Sequence, residues 1–363
     1  MDLGFLTVPL TMAAMAFGFA VVTDTQTVNI EKVNVPASIS GASGFTQNVV
    51  IAHLADEMRA IEHEAHSGAQ ARSIQLQGEK SWLIVLADYL KVTPLIRVAQ
   101  ESAGLTPFSF SGEIVMHGPE LEFVLRGFDD NSKPEYISTR GPADQLSSLI
   151  KETAYEAMRA IDPYIVAAYQ FKRDFRTRDF TPTLGIIRRE LANTDTRNHK
   201  WMYNLWGIVL YQQADRAGAI EKFKSALAVD PNFSSPLLNW GVVLARQGNN
   251  QEAIEKFQLL IANRRGDASP ATKAAAQAEW GFSLALLGRY EQAFAKFKEA
   301  TKTDPGFSDV FSSWAEVLSA LGRTEEATKM TARSLKMAPA EVVYTENLIG
   351  SVQNLPATAS VVN

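Results

Sequence analysis

Ala219-Ile220-Glu221-Lys222-Phe223 returns unchanged 34 residues later as Ala253-Ile254-Glu255-Lys256-Phe257. Trp206-Gly207 returns at the same step as Trp240-Gly241, then 40 residues on as Trp280-Gly281, then after another 34 as Trp314-Ala315. A unit this short cannot bury its own apolar face. Copies of it must stack, so the period commits this stretch to a solenoid of helical hairpins rather than an ordinary bundle.

The residue types in register each have a mechanical reason. Gly207, Gly241 and Gly281, with Ala315 in the fourth repeat, mark where the first helix of a repeat (A) closely approaches the second (B). Ala219, Ala253, Ala293 and Ala327 supply the facing small surface, and Phe223, Phe257 and Phe297 fill the core; Thr331 departs from the pattern. Gly248, Gly288 and Gly322 turn the chain between helices, with Ala214 in that place in the first repeat. Asp230-Pro231, Asp304-Pro305 and Pro339 end the B helices, because proline cannot continue a helix. Arg265 replaces the proline in the second repeat, and the extra residues from Gly266 to Ala271 account for the 40-residue step.

This combination of spacing and residue types resembles the tetratricopeptide-repeat family over residues 200–340, as four repeats. The resemblance implies a protein partner, a peptide or amphipathic helix, held on a concave surface lined by the A helices. Carried over by repeat position, that partner-binding surface comprises Asn204, Ile208, Tyr211, Leu238, Val242, Arg246, Phe282 and Leu286. The family's carboxylate clamp for chaperone C-termini needs Lys and Asn where Asn204 and Ile208 stand, so that ligand is not expected. A mostly apolar lining with one arginine suits a hydrophobic segment or an amphipathic helix. Residues 341–363 read as a capping helix and a tail. Residues 161–199 hold two linking helices, Tyr164–Phe171 and Leu184–Ala192, that either form a degenerate first repeat or only connect.

Residues 24–160 change character. Val28–Val35 reads as a half-buried strand ended by Pro36, and Gly41–Gly44 as a strand-to-helix turn. Val49, Val50, Leu54, Met58 and Ile61 recur at helical spacing up to Gly68. Then follow a strand at Ser73–Gln77, helices at Trp82–Leu90 and Leu95–Ala103, and a hairpin of Phe108–Met116 with Glu120–Phe128. A short strand at Glu135–Ile137 and a helix from Ala143 to Ile161 complete a small α+β domain with a mixed sheet. The element order, with Gly112-Glu113 inside a hairpin strand, resembles the N-terminal domains of periplasmic Tol-type and curli-secretion-type envelope proteins. A likeness of folds licenses no function.

Gly4 to Val22 carries no charge, and at ~1.5 Å per residue such a helix reaches roughly the ~30 Å of a hydrocarbon core. Three readings fit: a membrane anchor, a cleaved signal peptide with Gly18 and Ala20 near its cleavage site, or a core helix. Length and the absence of Lys or Arg in Met1-Asp2-Leu3 favour the anchor, residues 1–23. The expected location is the inner membrane of a bacterial envelope, with the bulk of the chain periplasmic.

Chemistry is sparse. Without cysteine the chain has no disulfide, thiolate ligand or cysteine nucleophile, and a net charge of −5 argues against a nucleic-acid binder. His63-Glu64-Ala65-His66 is one residue short of the zinc-protease spacing, and reads as a solvated helix end. The sequence contains no Walker motif, G-x-G-x-x-G or G-x-S-x-G. Lys172–Asp179 is locally basic and reads as a surface link or a contact for anionic lipid headgroups. No enzyme activity and no cofactor are expected. Two function classes remain: a membrane-tethered scaffold, or a ligand or lipid sensor whose α+β domain binds a small molecule and signals through the repeats.

Overall fold

The computed structural model describes residues 27–65, 73–76, 89, 91, 108–128, 135–194 and 196–337. The apolar segment 4–22, the helix expected at 95–103, all but residue 89 of the helix expected at 82–90, and the capping helix and tail at 341–363 lie outside the described residues. The chain divides into two compact units, residues 1–169 and 170–363.

The first unit holds a five-stranded sheet: β1 (Thr27–Asn34), β2 (Ser73–Leu76), β3 (Phe108–His117), β4 (Glu120–Phe128) and β5 (Glu135–Pro142). Its order is β2-β1-β3-β4-β5, with β1 parallel to both neighbours and the β3–β4–β5 meander antiparallel. The mixed sheet expected from the element order is present. The β1–β3 register slips between Ile30 and Lys32, so Glu31 is an extra residue. This bulge explains how Val28, Ile30 and Val33 are all fully buried although strict alternation would turn Val33 outward.

Helix α1 (Ala37–Ser43) replaces the turn expected at Gly41–Gly44. Gly44, at φ +75°, ends this helix instead of opening the next, an αL stop that glycine adopts without strain. Helix α2 (Gln47–Ala65) packs on β1 and β2, α3 (Leu146–Ile161) packs on β4 and β5, and the two pack on each other. Leu54, Met58, Leu149, Ile150 and Met158 of the helices and Phe110, Phe123 and Leu125 of the sheet are all buried, and the helices pack on the sheet. A buried hydrogen bond of 2.5 Å joins Thr139 of β5 to Thr153 of α3, and the Thr153 hydroxyl also donates to the Leu149 carbonyl. The other face of the meander carries charge: Arg126 pairs with Glu113, and Glu122 accepts from His117, Ser138 and Arg140. These partners, the Ser138 hydroxyl first, hold the Glu122 carboxyl below its ordinary value.

Helix α4 (Pro163–Thr177) contains the boundary between the units, and with α5 (Thr181–Leu191) it forms a hairpin. Four more hairpins follow: α6 (His199–Gln212) with α7 (Arg216–Val229), α8 (Ser234–Arg246) with α9 (Asn250–Ala262), α10 (Pro270–Leu286) with α11 (Tyr290–Thr303), and α12 (Asp309–Ala320) with α13 (Thr324–Met337). Their turns are built alike. Ala214, Gly248, Gly288 and Gly322 all have positive φ, and the next residue's N–H reaches back to Leu210, Leu244, Leu284 and Leu318 in turn. Arg178 takes the same positive φ between α4 and α5. That hairpin is closed by buried Asp174, which accepts from the Thr183 N–H at 3.0 Å, the Thr183 hydroxyl at 2.6 Å and Gln170 at 2.7 Å.

Candidate functional site

Glycine sets how closely each A helix meets its B helix. A Cβ placed on Gly207 would stand 2.4 Å from the Phe223 ring, and one on Gly241 the same distance from Phe257. At Gly281 the Phe297 ring would be 2.9 Å away. The close approach is therefore helix A to a phenylalanine ring more than to helix-B backbone. The fourth repeat has Thr331 where the ring would stand, and there Ala315 is admitted.

With the hairpins locked in this way, the residues expected to line the A-helix face separate into two groups. Asn204, Ile208, Leu238 and Val242 are each no more than 1% exposed, so they are not on the accessible surface where the sequence places them. Helices α6 and α8 come close enough for Asn239 Nδ2 to donate to Asn204 Oδ1 at 2.9 Å, which takes Asn204 into the interior. Tyr211, Arg246 and Phe282 are half-buried, and Leu286 is 55% exposed. The row one residue after the small A-helix position shows the trend: Ile208 and Val242 are buried, Phe282 is half-buried and Glu316 is exposed. The face opens toward the third and fourth repeats.

At the opening stands a polar cluster that no sequence motif announces. Arg246 of α8 reaches Glu279 of α10 with two nitrogens, at 3.3 and 3.4 Å, and its guanidinium lies 5.9 Å from the Phe282 ring centre. Tyr211, Asp309 and Glu316 lie within electrostatic reach of this pair. Desolvation pushes the Asp309 carboxyl up, against a hydrogen bond from Ser308 and with the negative charge of Glu279 adding to the rise. The Glu316 carboxyl is raised by partial desolvation, with Arg246 pulling it down and Glu279 pushing it up. Desolvation also raises the Tyr211 phenol. Glu279 and Glu316 thus share one guanidinium, and Asp309 adds a third carboxyl beside Glu279. Glu316 was legible by register, as the fourth member of the row containing Phe282; Glu279 and Asp309 were not, because they follow no repeat position that the sequence singles out.

Residues 204–269 match the tetratricopeptide-repeat family. That stretch of the helical unit, α6 to the loop before α10, carries the tetratricopeptide-repeat match. No functionally curated protein matches the chain. Among solved structures, the chain is similar to MamA, at 19% identity over 46% of this chain and 92% of that one, with a TM-score of 0.36. PilF of Pseudomonas aeruginosa is similar at 14% identity over 51% of this chain and 78% of that one, TM-score 0.41. YrrB, described as a TPR protein with an unusual peptide-binding site, is similar at 17% identity over 55% and 96%, TM-score 0.34.

The first unit has a polar cleft between β5 and α3, lined by Tyr136, Ser138, Glu152, Glu156 and Arg159. Among the described residues no group of three His, Asp or Glu side chains is arranged to hold a metal, and His66 lies outside them. Likewise, no described helix is long and apolar enough to cross a membrane.

Proposed function

We propose that the tetratricopeptide-repeat unit is a non-catalytic docking platform for an amphipathic segment of a protein partner, engaged where the A-helix face opens at repeats three and four. One observation carries this reading: Leu286 and Phe282 leave an apolar strip accessible beside the Arg246–Glu279 pair, with Glu316 and Asp309 beyond it. The apolar side of a helix would cover the strip, and a cationic group on the partner would meet the two carboxylates in excess of the guanidinium. Tetratricopeptide arrays commonly serve as interaction scaffolds, which agrees with this use of the face. The platform is tethered to the bacterial inner membrane through residues 4–22, with the rest of the chain periplasmic; the length of that charge-free run supports the tether.

The test is site-specific photo-crosslinking in native membranes. A photoreactive residue at Leu286 should give a discrete protein adduct, while one at Leu259, equally exposed on helix α9, should not. Adding Phe282→Ala and Glu316→Lys should remove the adduct with helicity unchanged. Equal adducts from both positions, or none from Leu286, would defeat the proposal. Deleting residues 1–22 should move the protein from the membrane to the soluble fraction; retention in the membrane would defeat the tether alone.

A further inference from the structure

A second surface runs along the array in a different row. In each of the first three repeats, the tryptophan preceding the small A-helix residue is half-buried beneath a lysine of the B helix. Lys222 Nζ lies 4.2 Å from the Trp206 ring centre, Lys256 Nζ 4.3 Å from Trp240 and Lys296 Nζ 4.0 Å from Trp280. The lysines keep the register of the tryptophans. Lys224 adds a second ammonium 5.1 Å from Trp240, and Arg188 stands 5.9 Å from Trp206. The ladder stops at the fourth repeat, where Met330 takes the lysine position and Trp314 stacks on Phe297 at 5.8 Å.

These cations are largely uncommitted. Lys296 pairs with Glu299 at 2.7 Å, but among the described residues Lys222, Lys224 and Lys256 have no carboxylate within ion-pair range. That is unexpected on a chain of net charge −5. An ammonium over an indole face gains only about 0.5–1 kcal/mol at an exposed site and keeps N–H donors free for an anion. At the third rung the surface hollows into a cavity of about 280 Å³, with Ile254, Trp280, Leu284 and Ala295 among its walls and Arg289 and Lys296 at its cationic side.

We propose that this tryptophan–lysine ladder is a docking surface for an acidic polypeptide segment, whose carboxylates engage Lys222, Lys256 and Lys296 while an apolar side chain enters the cavity. The occupant is a narrow chain and not an anionic membrane. Exposed Glu221 and Glu255 adjoin the first two lysines, and Glu291 and Glu299 flank the third, so a flat anionic surface meets both signs at once. A segment one residue wide can follow the lysines alone. This inference is independent of the A-helix docking reading, because it uses none of the same residues.

The probe is a synthetic amphipathic peptide with glutamates along one face and leucines along the other, compared with its glutamine counterpart. Binding to the full chain is followed by tryptophan emission and by anisotropy of a labelled peptide. The glutamate peptide should shift the emission, bind more weakly as salt rises, and outbind the glutamine peptide by at least about tenfold. The triple variant Lys222→Gln/Lys256→Gln/Lys296→Gln should lose that preference with its helical signal intact. Equal binding of the two peptides to the wild-type chain would overturn the proposal, and this comparison needs no variant. So would binding to phosphatidylglycerol vesicles that requires the three lysines, since the occupant would then be a membrane.

Discussion

One methyl group distinguishes the helix crossing of the fourth repeat from those of the first three. Gly207, Gly241 and Gly281 each face a phenylalanine ring, whereas Ala315 is paired with Thr331 in place of that ring. Adding a Cβ at Gly241 forces the Phe257 ring or the helix to move, so Gly241→Ala should cost about 1–3 kcal/mol. Phe257→Thr alone should cost more, about 3–5 kcal/mol, by emptying a fully buried site. In the double variant the Ala penalty should vanish, because nothing remains for the methyl group to strike. A double-mutant cycle in urea that showed simple additivity would contradict the packing described here. The carboxyls at the mouth of the A-helix face give a second expectation. Asp309 and Glu316 have raised values in the folded chain, so their contribution is fully present below the ordinary values of 3.8 and 4.5 and is lost as pH rises through the raised ones. Asp309→Asn/Glu316→Gln should therefore gain stability relative to the wild type as pH climbs across that window. Stability curves that stay parallel would count against it.

Among helices and strands, what was legible in the sequence is what repeats or alternates. The hairpin β3–β4, helix α2 and all eight helices α6–α13 follow from period alone, and β5 was found but ends five residues later than expected, at Pro142. Helix α1 is not legible because Ala37–Ser43 holds serines and Gly41 and no apolar period; its one sign is Gly44, whose place after Gly41 reads equally well as a turn. Four of the eight expected partner-binding positions, Asn204, Ile208, Leu238 and Val242, are buried for a different reason. Carrying a surface over by repeat position treats all repeats as alike, but burial at Ile208 and Val242 gives way to exposure at Leu286 and Glu316. The side chains themselves held part of this information, since aliphatic residues recur at the closed end and a carboxylate stands at the open one. For the leading hairpin, the physical lock is Asp174, buried on α4 and bonded to α5. Asp174→Ala removes three hydrogen bonds and strands the Thr183 N–H and hydroxyl, a loss of about 1–3 kcal/mol per stranded group. Hydrogen exchange should show faster amides confined to α4 and α5, and exchange rising uniformly through α13 would contradict this local role.

At the scale of the whole chain there are two compact units, and the helical unit is a one-dimensional stack whose stability is a sum over neighbours. Such a stack has a mechanical character set by its junctions. The residues inserted before α10 do more than lengthen a loop. Asp267 accepts from the Ser234 N–H at 2.8 Å, and its own N–H donates to the Asn232 carbonyl at 3.3 Å, so the entrance to α8 is tied to a point 33 residues further along. Gly266 sits against Ser234 and Asn263 in the same knot. Pulled from its ends, a helical-repeat array stretches like a soft spring by small rotations between neighbours. Here one coil carries such a tie, and the expected outcome is a braced centre between two more compliant arms. A partner that strains the array would then extend the arms and leave the second repeat at its resting pitch.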